Sequence, residues 1–222
     1  MGWSVPAEPV VGSTLLQRYG LPPAEVERLS LARLETLAGA ALPQAPDERH
    51  LAARILYAAG DPTLAAHLDV HPRAVGAGVA SLGVGAGVVV DVGMVAAGVR
   101  RARLAGRLLV ALDQPGVQDL ALAASITRSA AAMRLVAPRL GGCVVAIGNA
   151  PTALLELLDQ LDGGGPRPAL IIGMPVGLVA AAESKIELAR RAIPYVTVHG
   201  ARGGSPLAAA ALNALLDLSH GR

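Results

Sequence analysis

Cysteine is nearly missing from this sequence: Cys143 is the only one in 222 residues. One thiol cannot form an internal disulfide, so a disulfide-built scaffold is excluded. Phenylalanine is absent and aromatics make up 2% of the chain, as Trp3, Tyr19, Tyr57 and Tyr195. A core must therefore be packed closely from Ala, Val, Leu and Gly. Charge is scarce as well: charged residues are 16%, hydrophobic residues 53%, and the net charge is +2. That balance excludes intrinsic disorder and lacks the basic footprint of a nucleic-acid binder. Lysine is rarer still. Of the 19 Lys and Arg residues, Lys185 is the single lysine. Arg-, Ala- and Gly-heavy usage fits a GC-rich genome, in which one lysine survives by chance. A compact ammonium required at a shaped site is the other reading, because Lys and Arg are not interchangeable there.

Membrane-length apolar runs are also lacking. The stretch 74–90 carries no formal charge, but Asp91 interrupts it near the lower limit for a span. It holds Gly76, Gly78, Gly83, Gly85 and Gly87 and ends in Val88-Val89-Val90. That pattern predicts a buried helix, a turn and a central parallel strand rather than a membrane helix. Glu8 and early prolines and glycines precede any apolar run, so no signal peptide is expected and a cytoplasmic setting is.

What is present reads as one domain over 1–222. Residues 1–20, punctuated by Pro and Gly, are expected to be an arm, 22–84 a helical segment and 85–218 an α/β core. Pro22-Pro23-Ala24-Glu25 and Pro46-Asp47-Glu48 look like helix starts, with proline and acids in the first turn. Thr63 to Leu68 reads as a helical turn and Pro72 to Leu82 as a third helix. Strand-like runs then occur at Gly87–Val92, Leu108–Asp113, Cys143–Gly148, Leu170–Met174 and Tyr195–His199. Helices are predicted between and after them at Met94–Ala102, Val117–Ala137, Thr152–Leu161, Val176–Arg191 and Leu207–Leu218. Five buried strands alternating with helices predict an α/β fold, a doubly wound parallel sheet with helices on both faces.

Ligands of such sheets bind beyond the carboxyl ends of the strands. Four strand ends carry Asp91-Val92-Gly93-Met94, Gly148-Asn149-Ala150-Pro151-Thr152, Gly173-Met174-Pro175-Val176-Gly177 and Gly200-Ala201-Arg202-Gly203-Gly204-Ser205. Glycine admits close approach of backbone to ligand, and free N–H groups at helix starts attract anions. Gly and Pro that merely shape turns are the alternative. Repetition along one edge favours a surface for a polyanionic or carboxylate-bearing ligand. Neither phosphate signature is present: there is no G-x-x-x-x-G-K-[ST], and no G-x-G-x-x-G follows a strand. The histidines are His50, His67, His71, His199 and His220. Only His67 and His71 have i, i+4 spacing, and Pro72 disfavours the helix they would need, so no metal is expected. Thr127-Arg128-Ser129 is either a helix cap with a solvated arginine or an arginine aimed at an acid.

These loops resemble the precorrin-8X methylmutase family. The resemblance rests on Thr127-Arg128-Ser129-Ala130-Ala131-Ala132, on 144–154 from Val144 to Leu154, on Gly173-Met174-Pro175-Val176-Gly177, on Ala182-Glu183-Ser184-Lys185, and on Arg202-Gly203-Gly204-Ser205 with Leu212-Asn213. Asp91 with Met94-Val95 fits as well. It spans roughly residues 24 to 216. It implies a flavodoxin-like fold, a homodimer with the site near the interface, and a rearrangement without a cofactor. The implied reaction moves a methyl group from C-11 to C-12 of a ring-contracted tetrapyrrole, giving hydrogenobyrinate or its cobalt counterpart. The implied substrate-binding residues are Asp91, Met94, Thr127, Arg128, Ser129, Gly148, Asn149, Thr152, Met174, Pro175, Lys185, Arg202, Gly203 and Ser205.

One motif departs from the family. A stretch R-x-x-H-A-x-G, whose histidine is thought to protonate the macrocycle, reads Arg54-Ile55-Leu56-Tyr57-Ala58-Ala59-Gly60 here. The catalytic position is Tyr57, and a family serine corresponds to Ser30, beside Leu31. Imidazole exchanges protons readily at neutral pH, whereas a phenol is a far weaker acid there. Two outcomes follow: an isomerase using Tyr57 as hydrogen-bond donor or weak acid, or a non-catalytic corrinoid-binding carrier. An α/β protein for another anionic ligand is a third.

Overall fold

The computed structural model describes residues 14–16, 20 and 22–221. The expected arm lies outside the described residues apart from 14–16 and 20. Helix α1 (Pro23–Ala38) and helix α2 (Pro46–Ala59) both carry proline in the first turn, where its missing N–H costs nothing. Glu25 in α1, and Asp47 and Glu48 in α2, follow at the positive end of each helix dipole. Gly60 ends α2 at φ +62°, a left-handed conformation that glycine takes without strain. Ion pairs Glu35–Arg49 and Glu27–Arg54 lace the two helices together antiparallel.

A 3-10 turn over Pro62–His67 leads into strand β1 (Leu68–Val70). Helix α3 (Ala74–Gly83), strand β2 (Val88–Val90), helix α4 (Gly93–Gly98) and strand β3 (Leu108–Val110) follow. The uncharged stretch 74–90 is thus divided into helix, turn and strand, and no single helix among the described residues is long and apolar enough to cross a membrane. Then come helices α5 (Val117–Ala124) and α6 (Arg128–Val136), strand β4 (Val144–Ile147), helix α7 (Pro151–Asp162) and strand β5 (Leu170–Gly173). Helix α8 (Ala181–Ala189), strand β6 (Tyr195–Val198) and helix α9 (Ser205–Ser219) complete the chain.

The sheet has six strands in the order β1-β6-β5-β4-β2-β3. Strands β2 to β6 are parallel, and their order reverses between β2 and β4. This is the flavodoxin-like winding, whose switch point opens a crevice at the carboxyl ends of the two central strands. Alternate residues of each strand face opposite layers. Val88, Val90, Ala146, Ile172, Val196 and Val198 pack under α1–α4 and α9. Val89, Val145, Ile147, Ile171 and Tyr195 pack under α5–α8.

The sixth strand corrects the five-strand expectation. β1 is three residues long and pairs antiparallel with β6, inside the segment expected to be helical. Leu68-Asp69-Val70 carries no continuous apolar run, because an edge strand needs little burial. The helix expected over Val117–Ala137 is two helices. Ser125 takes φ +52° and Thr127 caps α6 by accepting the Ala130 N–H at 3.1 Å. The helix expected from Val176 starts at Ala181, after Ala180 at φ +62°, and the one expected to reach Ala102 stops at Gly98. His67 and His71 flank β1 instead of sharing a helix face.

Candidate functional site

Asp91 ends β2 at the switch point and is buried. Its Oδ1 accepts the N–H groups of Val92 at 3.0 Å and Gly148 at 3.1 Å. Its Oδ2 accepts those of Asn149 at 2.8 Å and Ala150 at 3.2 Å. The carboxylate thereby fixes the turn from β4 into α7. Burial pushes its pKa above the ordinary value, and the four amides oppose that shift. Gly148 leaves no room for a side chain: a Cβ there would lie 2.7 Å from Ser205 Cα and 2.9 Å from Val95 Cγ2. The β4 turn, the start of α9 and α4 therefore meet at one point.

The β5 and β6 ends are bound together in the same way. Gly204 N–H donates to Met174 O at 2.8 Å, and Gly177 N–H donates to Ala201 O at 3.1 Å. A Cβ on Gly203 would sit 2.5 Å from Met174 O. Met174, Pro175 and Ser205 are buried in this junction. Lys185, fully buried on α8, donates from Nζ to Gly200 O at 2.8 Å and Arg202 O at 2.5 Å. Its ammonium clamps the loop rather than facing solvent, and burial pulls its pKa down to about 8.

Arg202 reaches the opposite way. Its Nη1 donates to Asp61 Oδ2 at 2.6 Å and to Thr63 Oγ1 at 3.1 Å. This ion pair ties the β6 end to the segment that follows α2, four residues after Tyr57. Tyr57 is exposed, and its hydroxyl has no protein hydrogen bond among the described residues. The Arg54 guanidinium lies 5.5 Å from its ring centroid, within cation–π range. Ser30 lies on α1, in the helix that packs against α2. Its hydroxyl donates to Val26 O at 2.7 Å within α1.

On the other side of the switch point, Thr127 and Thr152 Oγ1 atoms are 2.8 Å apart. Their hydrogen bond sets the N-termini of α6 and α7 side by side, two partial positive charges on one rim. Arg128 is exposed, Ser129 half-buried, and Asn149 and Met94 project outward. Arg128 lines a cleft of about 230 Å³ with Leu112, Asp113, Gln114, Gly116, Val117 and Gln118.

Sequence reasoning missed one group on this rim. His199, immediately after β6, has its Nε2 2.8 Å from Asp69 Oδ2, the same oxygen that accepts Tyr195 O–H at 3.0 Å. Its place at the carboxyl end of a strand was the available signal. Asp69 gave none, because its strand was invisible.

Fold and rim together define a doubly wound α/β protein with an anion-attracting cradle of helix starts at its switch point. The precorrin-8X methylmutase family matches residues 25–218. The precorrin-8X methylmutase of Pseudomonas aeruginosa is 50% identical over 173 residues, covering 76% of this chain and 83% of that protein. The cobalt-precorrin-8 methylmutase of Priestia megaterium is 39% identical over 177 residues, 78% of this chain and 79% of that one. The crystal structure of a precorrin-8x methyl mutase from Thermus thermophilus superposes with a TM-score of 0.79 at 33% identity, over 88% of this chain and 98% of that one. The chain belongs to the precorrin-8X methylmutase family.

Proposed function

We propose that this chain is an isomerase of cobalamin biosynthesis that moves a methyl group from C-11 to C-12 of precorrin-8X or its cobalt form, giving hydrogenobyrinate or cobyrinate. The observation that carries the reading is the gathering of four strand-end loops on one edge, held by Asp91 and Lys185, on the motifs that mark the family. The relatives named above are methylmutases, which favours catalysis over carriage.

A tetrapyrrole carries acetate and propionate arms around an apolar ring. The paired N-termini of α6 and α7, with Arg128, suit the arms. At about 230 Å³ the cleft beside Arg128 holds an arm, not a macrocycle. The ring lies across the rim, where Met94 is 69%, Leu178 97% and Val179 83% exposed. A second copy of the chain, covering what the ring leaves bare, is the assembly we propose, and the lone free thiol suits a cytoplasmic enzyme. Tyr57 donates a hydrogen bond to the bound macrocycle, its phenol held 5.5 Å from the Arg54 guanidinium. Asn149, Thr152, Ser129 and Arg202 border the ring, while Gly148, Gly203, Met174, Pro175 and Ser205 set the loop shapes.

The test is anaerobic incubation of the purified protein with precorrin-8X, followed by absorbance and by the position of the methyl carbon. Conversion supports the reading. Binding without conversion overturns it in favour of a carrier, and absence of binding sinks both.

A further inference from the structure

His199 stands where a reacting group belongs. It follows β6 at the carboxyl edge of the sheet, directly before the loop that Lys185 clamps at Gly200. Its backbone N–H extends the β1–β6 ladder by donating to His67 O at 2.8 Å. The side chain is 37% exposed, with Nε2 2.8 Å from Asp69 Oδ2. A carboxylate only accepts, so this contact places the hydrogen of neutral His199 on Nε2 and leaves Nδ1 as the exchanging atom. Nδ1 has no protein hydrogen-bond partner among the described residues. Asp69 is itself held: Tyr195 O–H donates to the same oxygen at 3.0 Å, and burial pushes the Tyr195 phenol up to about 12, so it stays a donor. The His71 ring packs edge-on against Tyr195, with centroids 5.6 Å apart. Glu48 and Asp69 both line a cavity of about 280 Å³. An imidazole oriented by a fixed carboxylate, its second nitrogen unengaged, is the arrangement of a general acid and base.

Tyr57 and His199 bracket one short stretch of chain. Asp61, after Tyr57, pairs with Arg202, and His67, at the end of the following turn, pairs with His199. Tyr57 precedes and His199 pairs with the end of the stretch 61–67, so the chain links the two across it.

We propose that His199, oriented by Asp69, touches the macrocycle and supplies the exchangeable proton of the methyl shift, an inference that rests on the isomerase reading above. The Nδ1–H bond of the imidazolium breaks and its electron pair stays on the ring. The proton forms a new bond to a basic nitrogen of the macrocycle, draining electron density from the carbon that receives the methyl group. The C-11–methyl bond breaks as the C-12–methyl bond forms. The proton then returns to Nδ1, so none is consumed.

The test uses the full chain with precorrin-8X under anaerobic conditions, measuring turnover at saturation and equilibrium binding separately. His199→Asn keeps an amide donor for Asp69 but cannot transfer a proton. His199→Ala opens space for imidazole added to the buffer. Both variants are expected to lose roughly a hundredfold or more in kcat while binding substrate like the wild type. Added imidazole is expected to restore part of the His199→Ala rate and leave wild type and His199→Asn unchanged. Asp69→Asn, which misorients the ring, is expected to lower kcat by a smaller factor. Wild-type turnover in His199→Asn overturns the proposal, as does a loss in His199→Ala that imidazole does not recover. A wild-type protein that does not turn over at all overturns the isomerase reading and this proposal with it.

Discussion

Asp91 holds Asn149 by its backbone, the Asn149 N–H lying 2.8 Å from the buried Asp91 Oδ2. The side chain at the end of one central strand thereby dictates the turn at the end of its neighbour. Asp91→Asn turns an NH₂ group toward amides that need an acceptor. Each buried group left unpaired costs about 1–3 kcal/mol, and a loss of about 3 kcal/mol is expected in urea unfolding. Ligand affinity is expected to fall with it, because the 148–150 turn loses its shape.

Lys185 gives a pH signature. Its pKa is pulled from 10.5 to about 8 on folding, so between those values the folded chain holds fewer protons than the unfolded one. Stability therefore climbs as pH rises through that window, and the cost of burying the ammonium is fully present below it. Lys185→Met is expected to abolish the climb, read by denaturant titrations across alkaline pH. It also strips the Gly200 and Arg202 carbonyls of their donor, so ligand binding is expected to weaken.

The acid limb is set elsewhere. Arg134 makes two hydrogen bonds of 2.8 Å to Glu156 across α6 and α7 and holds its carboxyl below the ordinary glutamate value. A lowered folded pKa contributes stability above the unfolded value that is lost as pH falls through the folded one. Glu156→Gln is expected to flatten this acid-side loss in melts run at successively lower pH, with activity at neutral pH kept.

Gly203→Ala places a methyl carbon 2.5 Å from Met174 O and 2.7 Å from Pro175 O, both backbone atoms. The β5 and β6 loops must separate, at a cost of about 1–3 kcal/mol. A lowered Tm together with a raised KM is expected, and an unchanged melt would mean the loops do not meet this closely.

The parallel strands were legible because strands buried on both faces are written as short unbroken apolar runs, Val88-Val89-Val90 and Leu170-Ile171-Ile172 among them. Strand β1 was not, since Leu68-Asp69-Val70 takes its partner from β6 rather than from its own pattern. The break before α6 was half-legible: a cap at Thr127 was one of two readings, but the left-handed Ser125 that turns the chain there carries no sequence mark. Among the candidate site residues, the glycine loops were legible from their place after the apolar runs, and Lys185 stood out by its rarity. That the ammonium faces two carbonyls of its own chain was not.

Composition and local pattern determined the layers, the direction of the strands and the edge on which the loops lie, because burial and helix capping act over a few residues at a time. Tertiary structure alone decided that Arg202 meets Asp61, that Asp69 meets His199, and that Lys185 meets the carbonyls of Gly200 and Arg202. Those relations join segments far apart in the chain, and a side chain's choice between ligand, backbone and distant partner depends on what the fold brings within hydrogen-bond reach.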